Sequence, residues 1–229
     1  MDKGDIQRAA LFRFAEQGYH ATTLRHLAHD LGVTPAAFYY HFKSKDELLT
    51  SLIEEIITGD LEVLHMVRRE NVTNPLDELL YVNVYNFCVA REEALIVTRE
   101  ARFLEKEFRK RVTRVFRDYD GVFAASIAEE YDLSREALTL ATRAVVGLGS
   151  SVLHWFHQGG PLSEHEVALT FAGYARGILD RAEQNATTPE SSPLRRNGSR
   201  NGSAPMSFED TVTLINERVA IRRRIGVAT

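Results

Sequence analysis

Residues 22–42 read TTLRHLAHDLGVTPAAFYYHF, and this stretch decides the fold. Leu24, Leu27, Ala28 and Leu31 recur at i, i+3, i+4 and i+7, the spacing of one helical face, and Gly32 follows at once. Thr34 then offers a side-chain oxygen to cap a second helix. Pro35 takes the first helical position, where a missing N–H costs nothing. Phe38 and Phe42 lie four apart, on the face that helix would bury. Two short helices joined by the turn Leu31-Gly32-Val33 form a helix-turn-helix. Its outer face would show Thr34, Ala36, Ala37, Tyr39, Tyr40 and His41. Small residues at the start of such a helix allow close approach to base edges, and Tyr and His at its end can hydrogen-bond phosphates. The plain alternative is an aromatic helical hairpin inside a core. Three polar-tipped aromatics in a row, Tyr39-Tyr40-His41, cannot all face inward, which favours DNA.

Helical spacing extends in both directions. Ile6, Ala10 and Phe14 form a stripe that Gly18 closes. Ser44-Lys45-Asp46-Glu47 is a capping box opening a long helix to about Arg69. Further helices are predicted from Asn74-Pro75, over Glu92–Phe103, over Lys106–Tyr131, and from Ser134 to near Gly159-Gly160. A second capping box, Ser163-Glu164-His165-Glu166, opens one to about Gln184. No alternating strand pattern competes, so the fold class is all-α with about nine helices. Residues 186–206, rich in Ser, Thr, Asn, Gly and Pro, read as a flexible linker. Beyond it Ser207-Phe208-Glu209-Asp210 caps a short amphipathic helix with Phe208, Val212, Ile215 and Val219 on one face and Arg222-Arg223-Arg224 at its end. Its apolar face is expected to dock on its own subunit or across a dimer; the other reading is a basic tail. The expected organisation is a DNA-binding head at 1–50, a helical regulatory and dimerising body at 51–185, the linker, and the helix and tail at 207–229.

Composition limits the alternatives. The 229 residues are 44% apolar and 26% charged, ordinary for a globular protein able to bury a core without disulfides. Cys88 is the sole cysteine, consistent with a reducing cytoplasm. The charged start, Met1 to Arg8, leads into no apolar run, so no signal peptide is expected; no stretch reaches about 18 consecutive apolar residues, so no membrane span is expected either. The net charge of −4 hides a division: residues 1–50 are neutral, 51–185 carry −7, and 186–229 carry +3.

Residues 5–52 resemble the N-terminal domain of the TetR family of transcriptional repressors. The matching stretches are Ala15 to Tyr19, Thr22 to Ala28, Leu31 to Thr34 and Phe38 to Leu49. The resemblance implies that Thr23 and Arg25, at the start of the supporting helix, touch phosphate or base. It implies that Thr34, Pro35, Ala36 and Ala37 form the base-reading surface, that Tyr39, Tyr40 and His41 contact the backbone, and that Lys45 is a phosphate-binding lysine at a helix start. Ala36 departs from the family, which commonly has Gly there. The implied partners are a palindromic double-stranded operator, a second copy of the chain and a small-molecule effector.

The body diverges more. Gly173 and Gly177 lie four apart on one helix and Gly147 and Ser151 on the preceding one, which points to the helices at 134–158 and 163–184 as a dimer four-helix bundle; intrachain packing is the alternative. Tyr81, Tyr85, Phe87, Cys88, Phe103, Phe123, Trp155 and Phe156 are candidates to line an apolar effector pocket, although each is individually an ordinary core residue. Arg91, Arg99 and Arg102 bracket Ala94-Leu95-Ile96-Val97 and are candidates to hold an acidic ligand end, as in an acyl-CoA. His154 and His157 lack a third ligand, so no metal is expected, and no cofactor. H-E-x-x-H, P-loop and G-x-S-x-G motifs are absent, so an enzyme is not expected. The expected function is a ligand-responsive repressor. The alternatives are a helical small-molecule-binding protein with a vestigial head, and a DNA-binding protein without an effector.

Overall fold

The computed structural model describes residues 2–69, 74–186 and, near the C-terminus, residues 212, 213, 215–217 and 220. Every regular element among them is helical: α1 Lys3–Gln17, α2 Leu24–Asp30, α3 Pro35–His41, α4 Lys45–Arg69, α5 Pro75–Val89, α6 Arg91–Leu95, α7 Lys106–Glu130, α8 Arg135–Ser151 and α9 Glu164–Ala186.

Local chemistry sets the boundaries in the head. Thr23 caps α2 by accepting from the His26 N–H at 3.2 Å. The helix ends at Gly32, whose φ of 62° is open to glycine at little cost. There the Gly32 N–H donates to His29 O at 3.0 Å and the Val33 N–H to Ala28 O at 2.9 Å, satisfying two end carbonyls in a Schellman turn. Thr34 caps α3 through the Ala37 N–H at 3.2 Å. Ser44 accepts from the Glu47 N–H at 3.0 Å, but the Glu47 carboxylate reaches back one residue further than a capping box requires, to the Lys43 N–H at 2.7 Å. The Ser163–Glu166 box closes reciprocally, at 2.8 and 3.2 Å.

Two expected helices differ. The segment read as one helix over 92–103 is α6, then a π-turn at Ile96–Glu100 and a 3-10 turn at Ala101–Phe103. The Thr98 hydroxyl donates to Ala94 O at 2.7 Å and competes with the backbone for that carbonyl. The helix expected to reach Gly159 leaves α geometry after Ser151 and tightens into a 3-10 turn at Val152–His154. Ser150 and Ser151 hydroxyls back-bond to Gly147 O and Leu148 O at 2.8 and 2.6 Å, which weakens a glycine-containing helix end.

The chain divides into two compact units. The first contains residues 1–61, 90–118 and 215–229; the second contains 62–89 and 119–214. This cuts across a linear boundary at residue 50, because α6 and the turn after it pack on α1. The first unit buries Ile6, Ala10, Phe14, Leu27, Phe38, Phe42, Leu48 and Ile53. In the second unit α5 packs on α9 and α8 and is buried nearly all round. Within it, the buried Asn83 amide donates to Val145 O and Val146 O at 3.2 and 3.3 Å and accepts from Tyr119 Oη at 3.2 Å. Arg176 joins three helices by donating to Asp77, to Glu130 at 2.6 Å and to Tyr131 Oη at 3.2 Å.

Of the C-terminal helix, Ile215 is 3% exposed and belongs to the first unit. Phe208, Val219, Arg222, Arg223 and Arg224, like residues 187–206, lie outside the described residues. The stretch Arg135–His154 is long and apolar enough, by length and composition alone, to cross a membrane. It holds no uninterrupted apolar run of that length, because Glu136 and Arg143 break it. It packs on α5 and α9 on one side.

Candidate nucleic-acid interface and effector site

Helix α3 buries Phe38 completely and turns the rest outward. Thr34, Pro35 and Ala36 are exposed, Ala37 and His41 are half-buried, and Tyr39 and Tyr40 are 53% and 87% exposed. Thr23 and Arg25 are exposed at the start of α2. Nine of the ten expected DNA-contact residues therefore present surface on the helix-turn-helix, with the hydroxyls of Thr23 and Thr34 also engaged as helix caps.

Lys45 is different. Its ammonium donates to Tyr19 O at 2.9 Å and Thr22 O at 3.0 Å, and lies 4.2 Å from the Tyr19 ring centroid. Burial holds its pKa below the usual lysine value, against the opposing pull of Asp46 and Glu100. Tyr19 Oη donates to the Asp46 carboxylate. The first two residues of α4 thus clamp the turn between α1 and α2, which carries Thr23 at its end. Two of the three ammonium donors are spent here, which leaves one.

The expected effector residues fall into both units. In the second, Tyr85 stacks on Tyr81 with centroids 5.4 Å apart, Phe123 is fully buried, and Cys88 is buried with its thiol pushed up to about 12 by desolvation. Trp155 is 46% exposed, set against Phe156 and Phe171, so it is a surface residue and not an enclosed lining. Phe103 lies in the first unit, 42% exposed, with Arg102 over its ring at 4.7 Å and the His20 ring edge-on at 4.4 Å; it too is corrected to a surface position. Arg99 and Arg102 are exposed and Arg91 is half-buried. No group of three metal-ligating side chains occurs among the described residues.

The second unit also presents an apolar groove of about 710 Å³ between α8 and α9, lined by Leu140, Ala144, Gly173, Tyr174, Gly177 and Ile178 among others. A Cβ on Gly147, Gly173 or Gly177 would meet nothing within 4 Å, so close packing inside the chain does not require these glycines. Gly149 is the opposite case, since a Cβ there would stand 2.5 Å from the Asn83 amide nitrogen.

Two family signatures match this architecture: "Bacterial regulatory proteins, tetR family" over residues 6–52, and "Tetracyclin repressor-like, C-terminal domain" over residues 70–179. The chain belongs to the TetR family. It is similar to the "HTH-type transcriptional repressor KstR2" of Mycobacterium tuberculosis, 26% identical over 192 residues that cover 78% of this chain and 93% of that one. The fold is shared with the transcriptional regulator FadR from Bacillus subtilis, solved in complex with stearoyl-CoA, at a TM-score of 0.61 and 18% identity over 78% of this chain and 96% of that one. It is shared as well with AibR, solved in complex with isovaleryl coenzyme A and operator DNA, at a TM-score of 0.60 and 20% identity over 76% and 97%.

This TetR-family chain is accordingly a transcriptional regulator with a DNA-binding helix-turn-helix. Sequence reading missed the Tyr19–Lys45–Asp46 clamp, whose partners are distant backbone carbonyls that no pattern marks. It also missed Asn83, which reads in α5 as one polar residue in an apolar run. An isolated amide in such a run is itself a signal of a buried partner.

Proposed function

We propose that the chain is a homodimeric repressor that acts in the cytoplasm, binds a palindromic operator through α3, and is released by a small-molecule effector. The observation that carries this reading is the outward face of α3, where Tyr39 and Tyr40 stand exposed beside Thr34, Pro35 and Ala36 while Phe38 and Phe42 hold the helix to the head. In this reading Thr34 to Ala37 read base edges, and Thr23, Arg25, Tyr39, Tyr40, His41 and the remaining Lys45 donor bind phosphates. The groove between α8 and α9, where Leu140 and Tyr174 are 69% and 59% exposed, is the dimer face, and a two-fold axis there pairs the two chains.

The effector has an apolar part and an acidic end, as in an acyl-CoA. Within the second unit Tyr85, Cys88 and Phe123 are the candidates for its apolar lining, and within the first Arg91, Arg99 and Arg102 are separate candidates to meet an acidic group; FadR and AibR, with the same fold, were solved with acyl-CoA ligands. Release passes through α4, one continuous helix from Lys45 to Arg69, and through α6, which packs on α1. Coupling of this kind is typically ~1–3 kcal/mol.

Selection of duplex fragments by the purified full chain is expected to enrich a palindrome whose half-sites lie one or more helical turns apart. Recovery of no enriched motif overturns the reading. Stearoyl-CoA and isovaleryl-CoA are then titrated against the complex. Release by a cationic drug, with none by either thioester, rejects the acidic effector and leaves the repressor standing.

A further inference from the structure

Helix α7 opens with a row of cations. Lys106, Lys110, Arg114 and Arg117 follow one another by four, four and three residues, so they share one face, and all four are exposed. The opposite face holds the buried Val112 with Phe108 and Val115 half-buried. The cations between them are engaged: Arg111 Nε donates to Glu54 at 3.0 Å and Arg109 Nη2 to Leu104 O at 2.8 Å. The four on the stripe make no ion pair or side-chain hydrogen bond among the described residues. With no partner among the described residues, these four like charges along roughly 16 Å of helix repel one another.

Position and charge indicate what covers them. The stripe lies wholly within the compact unit that contains the helix-turn-helix. Phe103, three residues before Lys106, meets the His20 ring at 4.4 Å, and His20 is three residues before Thr23. Within that unit, residues 90–118 carry nine Lys/Arg against six Asp/Glu, a net charge of +3. The head itself has few cations to spare. Arg8 and Arg13 are paired with Asp5 and Asp30, Lys3 lies over the Phe42 ring, and Lys45 is held on two carbonyls, leaving Arg25 and Lys43. Successive stripe residues rise about 6 Å per four-residue step, a linear array that matches a linear polyanion better than a compact ligand.

We propose that the Lys106–Arg117 face of α7 binds the sugar-phosphate backbone of DNA flanking the operator. The inference rests on the operator-binding reading above. Such contacts carry no sequence information but add affinity and make it more salt-dependent, because each neutralised phosphate releases counterions.

The test compares the full chain with its K106Q/K110Q/R114Q/R117Q variant. Glutamine keeps helix propensity close to that of the residues it replaces, so the fold should persist, and helical circular dichroism checks this. Two duplexes are used: the selected palindrome alone, and the palindrome extended by a further helical turn on each side. The expected result has two parts. The natural chain binds the extended duplex more tightly, with a log–log salt slope steeper by at least about one unit. The variant binds both duplexes alike and matches the natural chain on the short one. The inference is overturned if the natural chain gains nothing from the flanks, or if the variant keeps the gain. It is also overturned if coenzyme A abolishes the flank-dependent part alone, which would assign the stripe to a nucleotide ligand. Failure to bind even the short palindrome would instead be the failure of the operator reading.

Discussion

Helices α3 and α5 each carry two tyrosines and treat them in opposite ways. In α3, Tyr39 and Tyr40 are adjacent, and Tyr40 is 87% exposed; in α5, Tyr81 and Tyr85 stand one turn apart, and Tyr81 is 1% exposed. Adjacent residues on a helix diverge by about a quarter turn or more, so two in a row with His41 behind them cannot share a narrow buried face. Residues four apart stack on one face, as the 5.4 Å between the Tyr81 and Tyr85 rings shows. An aromatic ring left in water forgoes roughly 2 kcal/mol of burial. The head retains two such rings exposed on α3, the face that the operator-binding proposal assigns to DNA.

Truncating one ring from each pair breaks or sharpens this contrast. Tyr81→Ala removes a fully buried ring and the contact of its hydroxyl with His165 Nδ1 at 3.2 Å. It should lower unfolding stability by about 3–5 kcal/mol, read from the denaturant midpoint of the full chain. Tyr40→Ala should change stability by less than about 0.5 kcal/mol. It should weaken binding to every duplex, whatever its sequence, by roughly tenfold, the loss of about 1.5 kcal/mol expected for a hydrogen bond to a charged phosphate. Equal losses of stability in the two variants would end the contrast.

Lys45 stands between the two behaviours, and its truncation gives a middle-sized effect with two separable readouts. Removing the ammonium frees Tyr19 O and Thr22 O and opens the clamp on the turn before α2, so Lys45→Ala should cost about 1–2 kcal/mol of stability. If the third ammonium donor also meets a phosphate, the salt slope of operator binding falls by about one unit. A stability loss with an unchanged slope makes Lys45 a positioning residue alone. An unchanged stability would refute the clamp.

The head was legible in the sequence because its signals are local. Gly32, Thr34 and Pro35 each act within four residues of themselves, and the cap and the turn form where those residues stand. The Ser44 cap and the reciprocal Ser163–Glu166 box were legible for the same reason, while the Glu47 carboxylate went one residue further back than the pattern predicts. The π-turn at Ile96–Glu100 and the early end of α8 were not, because hydroxyls of Thr98, Ser150 and Ser151 choose between water and a carbonyl according to tertiary surroundings. The effector candidates were the least legible. Phe103 and Trp155 have the composition of pocket residues, and only the packing of their neighbours shows them at the surface.

The smallest effect concerns the outer edge of the head, where polar groups serve the fold instead of a partner. The Arg13 guanidinium donates to Asp30 across the α1–α2 hairpin and holds the Asp30 carboxyl below its usual 3.8. A carboxyl whose pKa is depressed in the folded state contributes stability that is fully present above the unfolded value of 3.8, and that stability is lost as pH falls through the lower folded value. Both side chains remain about a quarter exposed, at 26% and 27%, so solvent screens the pair and its share of the stability is small. Arg13→Gln should therefore lower the melting temperature slightly at neutral pH and not at all once Asp30 is protonated. The difference between variant and natural chain should shrink below pH 3.8 and also shrink with added salt. A difference that persists unchanged in acid would mean that Arg13 acts through the packing of its alkyl stem, and the head's edge would then resemble the buried second unit more than the exposed face of α3.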